Sequence, residues 1–408
     1  MSSDQAIRKQ LASAFLLFCC LSIACALFQP AGTQTPASTP AIHPGAISPT
    51  STFFLPQTFT PPPTLTATPP VPPTATAEST ILTTPTQTPP TGELALQNQA
   101  DFGLWNQVLA LAYSPGDRWL AAAVGDNLLI LDSETLEEVD RFRAGVWANG
   151  LTFLSGPDKL LAWVSKNGIL GFWEIETGRS CQKSIHLKGA NGVTANPIYS
   201  VEGPALATSG NDGAVRVWTR PVLADDLTCQ LTETAEILGG SYNIPGVVFD
   251  STGQRLAAIH TGLVRIREVA TQRLLVTLGD PVNADHNPVY AIAFSPDDRW
   301  LAAAQSGPRL VVWDAASGEM AFTLSPSGFI YKNTYFNRLA FSPDGRWLAG
   351  GTNAGRIILW ELSSERGPIE SAAWEAHHLA VSGLVFSADS HLLFTSGLDS
   401  TLKVWKLN

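Results

Sequence analysis

The side chains with a potential for chemistry are few and widely spaced in this 408-residue sequence. Beyond the first hundred residues the histidines are His186, His260, His286, His377, His378 and His391. No two of these histidines have the spacing of a zinc-binding helix. His377 and His378 are adjacent, and neighbouring side chains on a strand point to opposite faces, so the two cannot bind one metal ion together. The sequence also lacks a Gly-x-Ser-x-Gly, a phosphate-binding glycine loop and a Cys-x-x-Cys. It therefore predicts no enzyme, no metal site and no cofactor.

The overall charge argues against polyanionic partners. The formal net charge is −10 and the pI is near 5.2, with no visible basic stripe. Nucleic acids and anionic lipid surfaces are bound mainly through lysine and arginine. We therefore expect no nucleic-acid partner and no binding to anionic lipid surfaces through the folded domain.

The first 28 residues have the pattern of an export signal. Arg8 and Lys9 precede an uncharged, largely apolar stretch at 11–28, which is typical of secretory signals. The segment SIAC at 22–25 resembles a bacterial lipoprotein box, although leucine is usual where this sequence begins the box with serine. The resemblance implies that Cys25 is acylated. Two alternatives stay open. Ala24-Cys25-Ala26 also fits the small-x-small rule for ordinary signal cleavage. The segment could instead remain as an uncleaved anchor, since eighteen apolar residues just reach the length of a membrane span.

Residues 29–92 differ in composition from the rest of the chain. They contain 16 of the 29 prolines, 18 threonines and a single charged residue, Glu78. Such a segment has no apolar period to bury, and proline lacks a backbone donor. We predict a disordered Pro/Thr-rich linker that separates a membrane anchor from a folded domain.

A pair of anchor residues recurs seven times after residue 93. The first anchor is an aromatic residue in a short apolar strand, at Tyr113, Phe153, Tyr199, Phe249, Phe294, Phe341 and Phe386. The second anchor ends the next alternating strand, at Leu131, Trp173, Trp218, Arg267, Trp313, Trp360 and Trp405. The two anchors are 18 to 20 residues apart in every copy. The copies follow one another at 40 to 50 residues, a period typical of β-propellers.

The elements of one copy are short strands joined by tight turns. Apolar runs of four to six residues are separated by turn sequences such as Ser-Pro-Asp-Gly at Ser342 and Asn-Asp-Gly at Asn211. A small antiparallel sheet has two apolar faces, so it is stable only between neighbours. We therefore predict an all-β, seven-bladed β-propeller of four-stranded antiparallel blades.

These residues resemble the WD-repeat propellers. Trp313-Asp314 is a literal Trp-Asp, and the last repeat follows the family pattern most fully. The resemblance implies a structural tetrad of hydrogen-bonded side chains there, formed by His377, Thr395, Asp399 and Trp405. The third repeat keeps Thr208, Asp212 and Trp218 but has Ala190 in place of the histidine. The resemblance is specific for the fold and carries little information on function.

The two ends of the repeat region predict how the ring closes. The chain stops at Asn408, directly after the strand of Trp405, so the last blade lacks its outermost strand. The segment ELALQNQA at 93–100 supplies a spare strand, and its pairing there removes a bare edge. The predicted domains are thus the signal or anchor at 1–28, the linker at 29–92 and the propeller at 93–408.

Two cysteines lie within the propeller, Cys181 and Cys229. Both follow the Trp-ending strand of their blade, and the outer strands of adjacent blades are expected to be too far apart for a disulfide. We therefore predict two separate thiols, although the insertion at 221–226 offers a way to bring Cys229 inward.

Aromatic residues are concentrated in the loops that lead into the innermost strands. Those predicted to bind a partner are Phe329, Tyr331, Tyr335, Phe336, Trp105 and Tyr242. Exposed aromatic side chains anchor protein interfaces because each removes a large rigid area from water. The alternative is that some of these side chains cap the core, as Tyr335 and Trp147 are placed to do.

These observations favour a monomeric, membrane-tethered, extracytoplasmic scaffold that binds another protein and has no catalytic role. The alternative is a propeller that binds or processes a small molecule or glycan in its central channel. Converging carboxylates and histidines in the channel indicate the alternative, and scattered apolar side chains favour the scaffold.

Overall fold

The computed structural model describes residues 95–407 apart from 104–105, 115, 117, 185–189, 196–203, 224–228, 239–245, 261, 281–286, 328–332 and 364–366. The predicted signal, the linker and Cys25 lie outside the described residues. The described residues form thirty β-strands. No helix among them is long and apolar enough to cross a membrane.

Twenty-eight of the strands form seven antiparallel sheets of four, here called blades one to seven. Blades one to three consist, from the inner to the outer strand, of β2 (Val108–Tyr113), β3 (Trp119–Val124), β4 (Asn127–Asp132) and β5 (Glu138–Arg143); β6 (Ala148–Phe153), β7 (Leu160–Ser165), β8 (Ile169–Glu174) and β9 (Ser180–Ser184); and β10 (Ala190–Ala195), β11 (Pro204–Gly210), β12 (Ala214–Thr219) and β15 (Glu233–Leu238). A two-stranded ribbon, β13 (Val222–Leu223) and β14 (Cys229–Gln230), is inserted before β15.

The remaining blades have the same order of strands. They consist of β16 (Val247–Phe249), β17 (Arg255–His260), β18 (Leu263–Glu268) and β19 (Leu274–Leu278); β20 (Val289–Phe294), β21 (Trp300–Gln305), β22 (Arg309–Asp314) and β23 (Met320–Leu324); β24 (Phe336–Phe341), β25 (Trp347–Thr352), β26 (Arg356–Ser363) and β27 (Gly367–Glu375); and β28 (Val381–Phe386), β29 (Leu392–Gly397), β30 (Thr401–Lys406) and β1 (Ala95–Asp101).

The blades form a closed ring. The first strands contact one another in the cyclic order β2, β6, β10, β16, β20, β24, β28 and again β2. The N-terminal strand β1 pairs antiparallel with β30, from Ala95 opposite Lys406 to Asp101 opposite Thr401. The predicted seven-bladed propeller and its closure by an N-terminal strand are confirmed.

The apolar core is divided among the interfaces between blades. In β21, Leu301 and Ala303 pack toward blade four, whereas Ala302 and Ala304 pack toward blade six. A strand with both faces buried is apolar at successive positions, which explains runs such as WLAAAQ. The described buried apolar residues form seven clusters, one at each interface. Each blade is therefore held by its two neighbours.

The second anchors occupy these interfaces. The five tryptophans among them are buried, as is Leu131 in blade one. Blade four has Arg267 there, half-buried, with its Nη1–H donating to the Gln272 carbonyl at 2.8 Å. Burial and the neighbouring Arg265 lower the pKa of Arg267 from its ordinary value. Blade four thus replaces a wide apolar plate with a hydrogen-bonded cation.

The prediction of two separate cysteine thiols is wrong. Cys181 in β9 and Cys229 in β14 form a disulfide, with their Cα atoms 5.5 Å apart. Cys229 is not on the outer strand of blade three but on the inserted ribbon, which lies against the outer strand of blade two. Arg179 Nη1–H donates to the Leu223 carbonyl at 3.3 Å, and Lys183 Nζ donates to the Leu231 carbonyl at 3.2 Å. The insertion therefore brings the two thiols within reach.

Candidate functional site

The predicted tetrad residues of blade seven lie together in one chain of hydrogen bonds. Trp405 Nε1–H donates to Thr395 Oγ1 at 2.9 Å, and Thr395 Oγ1 lies 2.9 Å from His377 Nε2. His377 Nδ1 lies 3.2 Å from Asp399 Oδ1. The His378 backbone N–H donates to Asp399 Oδ2 at 2.9 Å. The chain ties the turn between β29 and β30 to the buried tryptophan.

The histidine and the carboxylate of the tetrad are enclosed by the fold. Burial alone raises the pKa of Asp399, but the hydrogen bonds from the His377 ring and the His378 backbone outweigh it, so the pKa lies well below its ordinary value. The side chains of His377 and Asp399 are 0% and 8% exposed. The pair therefore stabilises the blade, and neither group is presented to a substrate.

Blade three has a partial version of this network. Trp218 Nε1–H donates to Thr208 Oγ1 at 3.0 Å. Since Ala190 stands where the histidine would be, Asp212 instead pairs with Arg216, with 2.8 Å between Oδ2 and Nη1. Thr208 thus serves one buried partner, whereas Thr395 serves two.

Of the six aromatic residues predicted to bind a partner, the structure describes two, Tyr335 and Phe336. Phe329, Tyr331, Trp105 and Tyr242 lie outside the described residues. Tyr335 is half-buried.

The prediction for Phe336 is wrong. Phe336 is the first residue of β24, and its side chain is 0% exposed. Its ring packs edge-to-face on Trp360, with the ring centroids 5.6 Å apart. A Cβ added at Gly350 would lie 2.8 Å from this ring, so Gly350 leaves the space that Phe336 fills. The side chain therefore points into the interface between blades five and six.

Large apolar side chains are exposed on the face that carries the connections into the first strand of each blade, here called the upper face. Trp147, directly before β6, is 54% exposed, and Leu379, two residues before β28, is 45% exposed. Trp147 therefore does not cap the core. The other large exposed apolar residues in the described part of the chain lie on outer strands or on the inserted ribbon.

The upper ends of the first strands share a bulge. In six blades the pairing with the second strand shifts after the first residue, so the next residue is unpaired. In blade six this residue is Asn337, whose Nδ2–H donates to the Val381 carbonyl of blade seven at 2.8 Å. In blade seven it is Ser382, whose hydroxyl donates to the Val108 carbonyl of blade one. The bulge residue thus reaches across to the next blade.

Blade five has an aromatic residue at its bulge. Tyr290 stacks on Tyr335 of blade six, with the ring centroids 4.2 Å apart and the planes at 23°. Burial, and to a smaller extent Tyr335, raises the pKa of Tyr290 above its ordinary value, so its phenol stays protonated. Tyr290 was missed in the sequence because it stands inside a strand pattern.

Arg338 follows the bulge of blade six. Its Nε–H donates to the Ser382 carbonyl and its Nη1–H to the Asn337 carbonyl, both at 2.7 Å. We call the group of Tyr290, Tyr335, Asn337, Arg338 and Ser382 the channel mouth, since these residues stand at the upper ends of the innermost strands. The channel mouth combines two stacked rings with one cation.

A cavity of about 330 Å³ opens at the opposite end of the innermost strands of blades four to six. Its wall is mostly apolar and includes Val248, Phe249, Ile292, Phe294 and Leu339. The polar groups at its edge have partners inside the protein: Asp250 Oδ2 lies 2.8 Å from Arg255 Nε, and Ser251 Oγ lies 2.6 Å from Asp298 Oδ2. Among the described residues no three His, Cys, Asp or Glu side chains are placed to hold a metal ion.

The fold and the tetrad define a propeller whose last blade has the hydrogen-bond network of the WD repeat. The family described as "WD domain, G-beta repeat" matches residues 279–314, 328–361 and 370–406, which contain the first three strands of blades five, six and seven. Three of the seven blades thus match the WD-repeat family, and the fold is that of a WD-repeat β-propeller.

Half of the chain is also similar in sequence to a known protein. The chain is 26% identical over 211 residues to transducin beta-like protein 3 of Rattus norvegicus. The match covers 50% of this chain and 23% of that protein, so the chain spans about a quarter of the relative's length. The similarity therefore bears on the repeat and not on the whole relative.

Proposed function

We propose that this propeller is a non-catalytic interaction scaffold, held outside the cytoplasmic membrane by its N-terminal segment, and that it binds another exported or membrane-associated protein through the upper face. The observation that carries the proposal is the exposure of Trp147 and Leu379 on that face, 54% and 45% respectively. Tryptophan is enriched among the side chains that anchor protein contacts, and Leu379 adds exposed apolar surface to the same face. The match of three blades to the WD-repeat family supports a protein partner.

The use of the polar residues supports a binding role. His377 and Asp399 are enclosed in the tetrad, and Asp250 is paired with Arg255 beside the lower cavity. Acid–base catalysis needs such groups within reach of a substrate. In this chain the side chains of His377, Asp399 and Asp250 instead form hydrogen bonds and ion pairs that connect turns to neighbouring strands.

The disulfide supports the location. Cys181 and Cys229 are joined, and disulfides persist mainly in oxidising compartments outside the cytoplasm. The apolar N-terminal segment is the means of export and attachment in the proposal, with Cys25 as the site of lipidation.

A second candidate function is the binding of a small molecule or glycan in the channel. The lower cavity of about 330 Å³ favours it, because this volume is in the range of small-ligand sites. Its mostly apolar wall suits an apolar ligand better than a glycan, which needs many hydrogen-bonding groups.

The two candidates are distinguished by capture from intact membranes. The full-length protein is crosslinked in its own cells, purified under denaturing conditions, and the crosslinked proteins are quantified. The double variant Trp147→Ala, Leu379→Ala is expected to reduce the amount of the main crosslinked partner at least about tenfold, as loss of interface anchors does. The control is Met320→Ala, which removes a side chain that is 64% exposed on an outer strand. Unchanged capture by the double variant contradicts the proposal.

A further inference from the structure

The residue that follows the bulge of the first strand can be compared in all seven blades. In blade four, the equivalent residue lies just before β16. This residue is charged in one blade only. The residues there are Ala110, Gly150, Gly192, Gly246, Ala291, Arg338 and Gly383. Six of the seven have no side chain beyond Cβ. The fold therefore needs no long side chain at this position, and Arg338 calls for another explanation.

The position is narrow where glycine occupies it. A Cβ at Gly150 would lie 3.0 Å from Val164 Cγ2, and a Cβ at Gly383 would lie 2.7 Å from Leu111 Cγ. In blade six the side chain of Arg338 instead extends to the edge of β28, where it meets the Ser382 carbonyl. The carbonyls that it binds have counterparts in the other blades, where alanine or glycine cannot donate a side-chain hydrogen bond. Capping these carbonyls is thus not a requirement of the ring.

The guanidinium of Arg338 has no anionic partner among the described residues. It is partly buried, and both of its hydrogen bonds go to neutral carbonyls. Nη2 makes no hydrogen bond to a described residue and is not fully buried. Desolvation lowers the pKa of Arg338 from its ordinary value.

Two other poorly exposed arginines of this protein are paired with carboxylates, whereas Arg267 in blade four donates to a backbone carbonyl as Arg338 does. Arg255 Nε lies 2.8 Å from Asp250 Oδ2, and Arg220 Nη2 lies 3.1 Å from Asp158 Oδ2. A partly buried cation is stabilised mainly by an anion at hydrogen-bond distance. Arg338 is therefore a cation whose counter-charge is missing from the described part of the chain.

We propose that the channel mouth binds a carboxylate group of the partner protein, with Arg338 as the cation that receives it and Tyr290 and Tyr335 as the adjoining wall. This inference rests on the proposed function, because the carboxylate belongs to the bound protein. The Nη2 donors are free to meet a carboxylate oxygen, and arginine is the side chain best suited to that geometry. No hydrogen bond to a described residue occupies the hydroxyl of either tyrosine, so these hydroxyls are also available as donors to the same group.

Because the net charge of the protein is negative, binding of a carboxylate at the channel mouth can be distinguished from non-specific electrostatic attraction. At −10 the protein as a whole repels acidic peptides. A preference for an acidic peptide over a neutral one therefore requires a local positive site. The channel mouth provides one.

The test uses three N-acetylated hexapeptides and the full-length protein in detergent. Hexaglutamate with an amidated C-terminus carries side-chain carboxylates, hexaglutamine with a free C-terminus carries a terminal carboxylate, and amidated hexaglutamine carries neither. Calorimetry measures the dissociation constant of each. We expect one of the first two peptides to bind at least about tenfold more tightly than the third, the gain of a charge-assisted hydrogen bond. The better of the two identifies the source of the carboxylate.

The matched variants are Arg338→Ala and Arg346→Gln. Alanine is the residue of blades one and five at this position, so Arg338→Ala is expected to fold, and the preference for the carboxylate peptide should disappear. Arg346 lies in the same blade, is exposed and is already paired with Glu361, so Arg346→Gln should retain the preference. Equal binding of all three peptides by the unaltered protein, or an unchanged preference in Arg338→Ala, overturns the inference. If partner capture persists in that case, the proposed function stands and only the carboxylate site is wrong.

Discussion

Replacement of Thr395 by valine tests the tetrad, and blade three supplies the comparison. Valine keeps the shape of threonine but lacks the hydroxyl that joins Trp405 Nε1 to His377 Nε2. In Thr395→Val, Trp405 Nε1–H and His377 Nε2 both lose their hydrogen-bond partner, at a position that is 0% exposed. Each buried polar group without a partner costs about 1–3 kcal/mol, so the loss for Thr395→Val is about 2–6 kcal/mol in the free energy of unfolding.

The same change in blade three removes one hydrogen bond instead of two. Thr208 is also 0% exposed, and its hydroxyl receives the Trp218 indole N–H. Thr208→Val is therefore expected to cost about 1–3 kcal/mol, roughly half of the loss at Thr395. Since the two sites occupy equivalent positions of the repeat, differences in packing largely cancel.

Urea unfolding followed by circular dichroism measures the difference. Both variants should shift the midpoint to lower urea without changing the slope, and Thr395→Val should shift it further. A larger shift for Thr208→Val, or equal shifts, refutes the reasoning, because the histidine would then contribute nothing to the network.

Four further changes have expected outcomes. Asp399 has a lowered pKa in the folded state, so its contribution to stability is present above its ordinary value of 3.8 and is lost as the pH falls below it; the stability difference between the unaltered protein and Asp399→Asn should therefore shrink on acidification, whereas a constant difference is contrary to the assignment. Deletion of residues 1–102 removes β1 and should lower the melting temperature or cause aggregation, while deletion of residues 1–90 should not; equal stability contradicts ring closure by β1. Cys229→Ser opens a bridge between residues 48 apart and should cost at most about 4 kcal/mol by the loop-entropy estimate, measured as a fall in melting temperature without reductant; no fall means that the ribbon is held by its hydrogen bonds alone. Cys25→Ser should release the protein from the membrane fraction, since acyl chains are the proposed attachment, and protein that stays bound and uncleaved favours a signal anchor.

The seven blades were predictable from the sequence because the same two anchors recur at a fixed separation. The anchors among the described residues lie in interfaces between blades, where apolar side chains are favoured, although blade four has Arg267 there. Ring closure by β1 followed from the missing outer strand of the last blade. Local spacing was thus sufficient for the architecture.

The site was less accessible to sequence reasoning. Phe336 was placed in a loop, but the space left by Gly350 on the neighbouring strand directs its ring inward. The disulfide depended on where an inserted ribbon lies, which no periodic pattern specifies. Arg338 did leave a signal, since it stands in a column of glycine and alanine when the repeats are aligned with one another.

Photocrosslinking from single positions tests our proposal that the upper face contacts another protein. A photoreactive amino acid replaces Trp147 on the upper face or, in a separate variant, Met320 on an outer strand, two sites that are 54% and 64% exposed. After illumination of intact cells, we expect a discrete protein adduct from position 147 and none of the same size from position 320. No adduct from position 147, or the same adduct from both positions, contradicts it.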